Sequence, residues 1–268
     1  SGSWVQDETY WRKEADGWIS KCTNRTFTHD CTTSHLDKDG VECYSSTESV
    51  VIDVHIMFNG HFRIFNYEGE FLLYQSPNCQ INTQFTKRGS GTVMTGVAIK
   101  CGNNRVSFTP SKIFYNGRQL KLRANGEIAF GKGSIKHVAD RRYAIKTGLG
   151  LKLVIATVHH LNSVNLAIKD GTRKERGLSS CADGVERCAK EYNINTKSKS
   201  LFEKFVPFKF IPYNGDWDSY PKGKKAEAEN LCEKRFKNND SDFKMCVEDY
   251  LLTGTDFSSG IIREEELG

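Results

Sequence analysis

Two adjacent histidines, His159 and His160, follow the most apolar run of the chain, Leu151 to Val158. Imidazole changes charge near neutral pH, so a histidine set among Leu, Val and Phe is a candidate base toward a bound small molecule. Successive residues of a strand point to opposite faces, which predicts that one of the pair turns inward. His137 and Tyr143, on neighbouring predicted strands, are the other candidate members of such a pocket. The competing reading for each histidine is a hydrogen-bonded core or edge residue. No Gly-x-Ser-x-Gly elbow is present. Gly131-Lys-Gly133 and Gly148-Leu-Gly150 read as β-turns, because neither opens a helix after a strand.

Calcium takes several hard oxygens on a tight loop. Asn214-Gly-Asp-Trp-Asp218 offers Asn214, Asp216 and Asp218 at i, i+2 and i+4, which matches part of a calcium loop. The later ligands are missing, and an ordinary Asn-Gly turn with solvated carboxylates competes. Asp183 with Glu186 is a thinner candidate. No other cofactor is implied.

The nine cysteines are Cys22, Cys31, Cys43, Cys79, Cys101, Cys181, Cys188, Cys232 and Cys246. None forms a CxxC pair, and the histidines do not supply zinc spacing. Disulfides in an oxidising compartment, and hence secretion, are the expectation. Two sequons, at Asn24 and Asn239, fit a glycoprotein. The odd count leaves one thiol free or paired outside the chain.

Around these residues the chain changes texture three times. Residues 1–49 are polar, with Trp4, Trp11 and Trp18 as anchors, and read as a segment stapled by a disulfide and docked on the neighbouring β-domain. Residues 50–225 carry that β-domain. Short runs rich in β-branched and aromatic residues, such as Glu70-Phe-Leu-Leu-Tyr74 and Val93 to Lys100, recur between turn residues. Asn116-Gly117 and Asn125-Gly126 are the strongest hairpin signals. Residues 181–225 within it read as irregular. Ten or more strands without helical periodicity predict a mainly β fold, an antiparallel β-sandwich or flattened barrel. Residues 226–254 read as two short helices in a hairpin, the second ending at the glycine cap Gly254. Neither is long enough to persist alone, so a Cys232–Cys246 bridge and contacts through Leu231, Phe236, Phe243, Val247 and Leu251 are expected to hold them. The alternative pairs each cysteine with Cys181 or Cys188. Residues 255–268 read as a flexible tail.

Composition bounds the partners. Charged residues are 26% and the net charge is +5, with Lys and Arg scattered in short loop-like runs, which gives no case for nucleic acid. No run approaches the roughly 18 to 20 apolar residues that span a bilayer.

The order of features over about residues 50 to 255 resembles the von Willebrand factor type D domain family. Phe58-Asn-Gly-His-Phe-Arg-Ile-Phe-Asn-Tyr-Glu-Gly-Glu-Phe-Leu-Leu-Tyr74 is similar to that family's first hairpin. Val154 to Ile168 resembles the strand pair before its Gly-Leu-Cys-Gly motif. Gly177-Leu-Ser-Ser-Cys181 stands at the motif's place, and Ala182-Asp-Gly-Val-Glu186 at that of the acidic calcium loop. The resemblance implies a secreted module for extracellular binding, adhesion or assembly, with an extracellular protein or a small apolar ligand as partner. It implies one alternative. A branch of secreted luciferases uses this domain type to oxidise an imidazopyrazinone-like luciferin with O₂, without metal or nucleotide. Under that alternative His159, His160, His137 and Tyr143 are the catalytic candidates.

Overall fold

The computed structural model describes residues 65–170, 177, 178, 185–212, 220–236, 241–257, 262 and 266, and within 13–64 the strand pairing alone. Two small hairpins come first, β1 (Lys13–Glu14) with β2 (Gly17–Trp18) and β3 (His35–Leu36) with β4 (Glu42–Cys43). Then β5 (Thr47–Ile52), β6 (His55–Phe58) and β7 (His61–Ile64) form a meander.

Three long strands come next, β8 (Tyr67–Gln75), β9 (Cys79–Arg88) and β10 (Gly91–Cys101). Shorter ones continue as β11 (Asn104–Phe108), β12 (Ile113–Tyr115) and β13 (Arg118–Leu120). With β19 (Lys209–Phe210) on the far edge they make a seven-stranded antiparallel sheet, ordered β13-β12-β11-β10-β9-β8-β19. The second sheet has eight strands. β14 (Glu127–Phe130), β15 (Gly133–Ala139), β16 (Arg142–Lys146), β17 (Leu151–Val158) and β18 (Ser163–Asp170) run in order and are joined by β5, β6 and β7. Neither sheet closes on itself, so of the two architectures the sequence allowed this is the sandwich.

Local chemistry explains the corners. Asn116 and Gly117 both have positive φ, 48° and 81°, and join β12 to β13 as a two-residue hairpin. Asn125 also has positive φ, 60°, but the strands on either side of Asn125-Gly126 belong to different sheets. That turn is a corner between layers, not the hairpin its sequence signals, because dipeptide chemistry bends the chain without choosing a partner strand.

The inner faces meet through Phe65, Phe71, Phe85, Ile81, Val97 and Ile99 on one side and Ile145, Leu153, Ile155, Val164 and Leu166 on the other, all fully buried. Phe65 is the hub of an aromatic cluster, its ring 4.8 Å from those of Phe71 and Phe85. The central strands are buried nearly throughout because their outer faces are covered too. Leu201 and Phe202 lie on Ala98, Leu252 and Phe257 on Val93, and Ile262 on Val154, Ala156 and Ala167. Gly96 makes room for one cover: a Cβ there would meet the Phe202 ring at 2.6 Å. Within 255–268, read from sequence as a tail, Phe257 and Ile262 are therefore buried and Glu266 pairs with Arg142 at 3.2 Å.

Three α-helices are described. α1 (Val185–Tyr192) lies in the stretch read as irregular and buries Cys188 and Ala189. α2 (Lys222–Glu233) and α3 (Ser241–Thr253) form the expected hairpin. Cys232 and Cys246 are bonded, with Cα atoms 5.9 Å apart, so the hairpin is stapled to itself and not to Cys181 or Cys188. Of the apolar residues expected to dock it, Leu251 is buried, whereas Leu231, Phe236, Phe243 and Val247 are half-buried. The Gly254 amide donates to the Tyr250 carbonyl at 2.8 Å and closes α3. A second disulfide, Cys79–Cys101, joins directly opposed residues of β9 and β10.

Candidate functional site

β17 ends at Val158, where the chain leaves the sheet. His159–Leu161 form a 3₁₀ turn closed by Asn162 in the left-handed region, φ 49° and ψ 44°. Strand alternation stops there, so the inward histidine expected of the pair does not exist. Both His159 and His160 are exposed.

They nevertheless border one neighbourhood. β15 and β16 are joined around Asp140-Arg141, with Arg141 at φ 57° and its carbonyl accepting from the Thr157 amide at 2.9 Å. This turn places Arg141 between two openings. One is a groove of about 400 Å³ whose lining includes Ile113, Leu120, Leu122, Arg141, Tyr143 and His159, with Lys112 and Lys121 at its edges. The other is a smaller recess of about 160 Å³ that includes Arg141, Arg142, Thr157 and His160. The Arg141 guanidinium, a donor only, lies 3.3 Å from Nδ1 of His160, which accepts.

Tyr143 is the fixed point of the larger groove. On β16 it faces His137 across β15 and Ile155 across β17. Its ring stacks on the His137 imidazole, with centroids 4.8 Å apart and planes 19° from parallel, and packs at 5.4 Å against Phe108 of the other sheet. Burial, and then the Asp140 carboxylate, push the Tyr143 phenol above its ordinary value. Its hydroxyl makes no hydrogen bond among the described residues.

His137 has a defined orientation. Nδ1 lies 3.1 Å from the Arg123 carbonyl, which can only accept, so Nδ1 carries the proton. Nε2 is buried and has no hydrogen-bond partner among the described residues. The four sequence candidates thus gather at one end of the sandwich. Tyr143 and His159 line the groove, His137 backs Tyr143, and His160 lies beyond Arg141.

The cationic rim, Lys112, Lys121 and Arg141, is not foreseeable from the sequence. Its members come from three separate connections, and only the packing of the two sheets brings them together. Asn214, Asp216 and Asp218, and the sequon residues Asn24 and Asn239, lie outside the described residues. Among the described residues no group of three or more His, Cys, Asp or Glu side chains is placed to hold a metal ion. No described helix is long and apolar enough to cross a membrane.

No family model matches the chain, and no curated protein aligns significantly with it.

Proposed function

We propose that the protein is a secreted, disulfide-stapled binding module of the von Willebrand factor type D kind, which grips an extracellular partner protein in the Tyr143 groove. The observation that carries the binding role is Tyr143 itself. Its ring is held between His137 and Phe108, and its hydroxyl makes no hydrogen bond among the described residues, at the wall of an open groove. A rigid aromatic with a spare polar end is the kind of group on which interfaces concentrate their energy. Ile113, Leu120 and Leu122 offer an apolar floor, and Lys112, Lys121 and Arg141 a cationic edge. A partner segment with an apolar anchor beside acidic residues fits this lining. The bonded state of Cys79, Cys101, Cys188, Cys232 and Cys246 supports an oxidising compartment. The resemblance of residues 58–74 to the type D hairpin supports the family reading.

The test is site-specific crosslinking. A photoreactive residue at Lys121, offered extracellular proteins, should capture a discrete partner, and Tyr143→Ala should reduce the capture at least about tenfold. Capture that is indifferent to Tyr143 would overturn the reading.

A second reading, a luciferase-type oxygenase of the same domain kind, is favoured by His137. An imidazole whose Nδ1–H is engaged and whose Nε2 lone pair has no partner among the described residues is arranged as a base. Because Nε2 is buried and His137 does not line the groove, the base would act only once local motion exposes it to a small apolar luciferin, which gives up one proton and is then oxidised by O₂. Photon counting with an imidazopyrazinone in air and under argon tests it. O₂-dependent light lost in His137→Gln supports it, and darkness removes it.

A further inference from the structure

We propose that a second groove, on the outer face of the seven-stranded sheet, binds an anionic oligosaccharide. The groove measures about 620 Å³. One wall is a row across three strands: Gln80 of β9 stands opposite Lys100 of β10, which stands opposite Arg105 of β11. Asn103 and Asn116 extend this wall, and Ser198, Lys199 and Ser200 form the other.

Lys100 and Arg105 are directly opposed on neighbouring strands, an arrangement that costs stability because like charges face each other. Arg105 is relieved by Glu203 at 3.5 Å. The ammonium groups of Lys100 and Lys199 have no ion-pair or hydrogen-bond partner among the described residues, and no acidic side chain is among the lining. A cationic pair only partly relieved by Glu203, with Lys199 facing it across an open groove, is complementary to an anion.

The opposite wall is held rigidly by a buried carboxylate. Segment 193–201 contains no strand and only one 3₁₀ turn, Lys197–Lys199. It is clamped by Glu70, a fully buried carboxylate of β8 that takes the Leu201 amide at 2.9 Å, the Ser200 hydroxyl at 2.5 Å and the Asn82 amide at 2.7 Å. The Glu70 carbonyl accepts from the Ile194 amide at 2.8 Å and from Asn193 at 3.2 Å. A loop so anchored presents Lys199 at a fixed place across from Lys100.

The lining selects the ligand class. Apart from Ile194 and Leu201 it is made of amides, hydroxyls and cations. Hydroxyl-rich ligands match amides and hydroxyls, and sulfate or carboxylate groups match the cations. An acidic peptide would ask for apolar anchor pockets that this groove does not supply. The groove shares no lining residue with the Tyr143 groove, so the failure of either proposal leaves the other standing.

The test measures binding of a sulfated heparin hexasaccharide to the whole chain by calorimetry at two salt concentrations. The double variant Lys100→Ser, Lys199→Ser should bind about tenfold more weakly, at roughly three- to fivefold per exposed charge pair lost. Glu203→Gln, which releases Arg105, should bind a few-fold more tightly. A control pair of exposed lysines elsewhere, Lys132→Ser with Lys136→Ser, should bind as the parent does. Three results would overturn the proposal: no binding by the parent chain, equal loss in the control pair, or preference for poly-glutamate or phosphatidylserine vesicles over the hexasaccharide.

Discussion

His137 and Tyr143 face each other across β15 and β16 with their rings stacked 4.8 Å apart, and only one of the two, Tyr143, lines the groove. The histidine, fixed through Nδ1 to the Arg123 carbonyl, acts as a backing plate for the phenol. Removing the plate should therefore loosen the groove without emptying it.

The raised Tyr143 phenol makes a statement about stability. The folded chain keeps its proton to a higher pH than the unfolded chain, which releases it near the ordinary value of about 10. Folding stability from this group is thus complete below about pH 10 and falls as pH rises through and beyond it. Urea unfolding of the parent chain and of Tyr143→Phe at pH 8 and pH 11 checks this. The parent should lose more stability than the variant over that interval.

Glu70 should be among the least replaceable polar residues. Glu70→Ala leaves the buried Leu201 amide, the Ser200 hydroxyl and the Asn82 amide without their acceptor. The expected cost is about 3–5 kcal/mol, read as a lower urea midpoint. Hydrogen exchange should quicken first at Ile194 and Leu201.

Two glycines should respond in opposite directions. A Cβ on Gly133 would lie 1.7 Å from the Lys146 carbonyl oxygen, a clash with backbone that no rotamer relieves. Gly133→Ala should cost about 4 kcal/mol or more and lower Tm by about 10 °C. Gly223, in the first turn of α2, has nothing within 4 Å of the added atom. Gly223→Ala should stabilise by about 0.5–1 kcal/mol.

The Cys232–Cys246 bridge closes a loop with a sequence separation of 14. Replacing both cysteines with serine should cost about 3 kcal/mol, by restoring freedom to the unfolded chain. Denaturant titration measures it. Exchange protection should fall in α2 and α3 more than in β9 and β10.

Much of the sandwich is legible in the sequence because its strands carry β-branched and aromatic residues between glycine turns, and Asn116-Gly117 bends where its chemistry says. The pairing of the layers is not. Asn125-Gly126 has the same local chemistry as Asn116-Gly117 yet joins different sheets, since partner choice is decided by distant packing. Cys79 and Cys101 become opposite only once the β9–β10 register is known. Glu70 sits in an apolar strand run, and a lone carboxylate there signals a buried polar contact without naming Leu201 or Ser200, more than a hundred residues on. An inward histidine at 159 or 160 requires strand alternation to run two residues past Val158, where the chain has already turned. Lys112, Lys121 and Arg141 belong to separate connections that sequence alone cannot bring together.

The most direct test of the binding account is photocrosslinking from Lys121 into a pool of extracellular proteins, with the yield compared between the parent chain and Tyr143→Ala. The account predicts one discrete crosslinked partner from the parent chain and at least about a tenfold loss of it in the variant, the size expected when a central aromatic anchor is removed. An undiminished crosslink in Tyr143→Ala, or no partner from the parent chain, would contradict it.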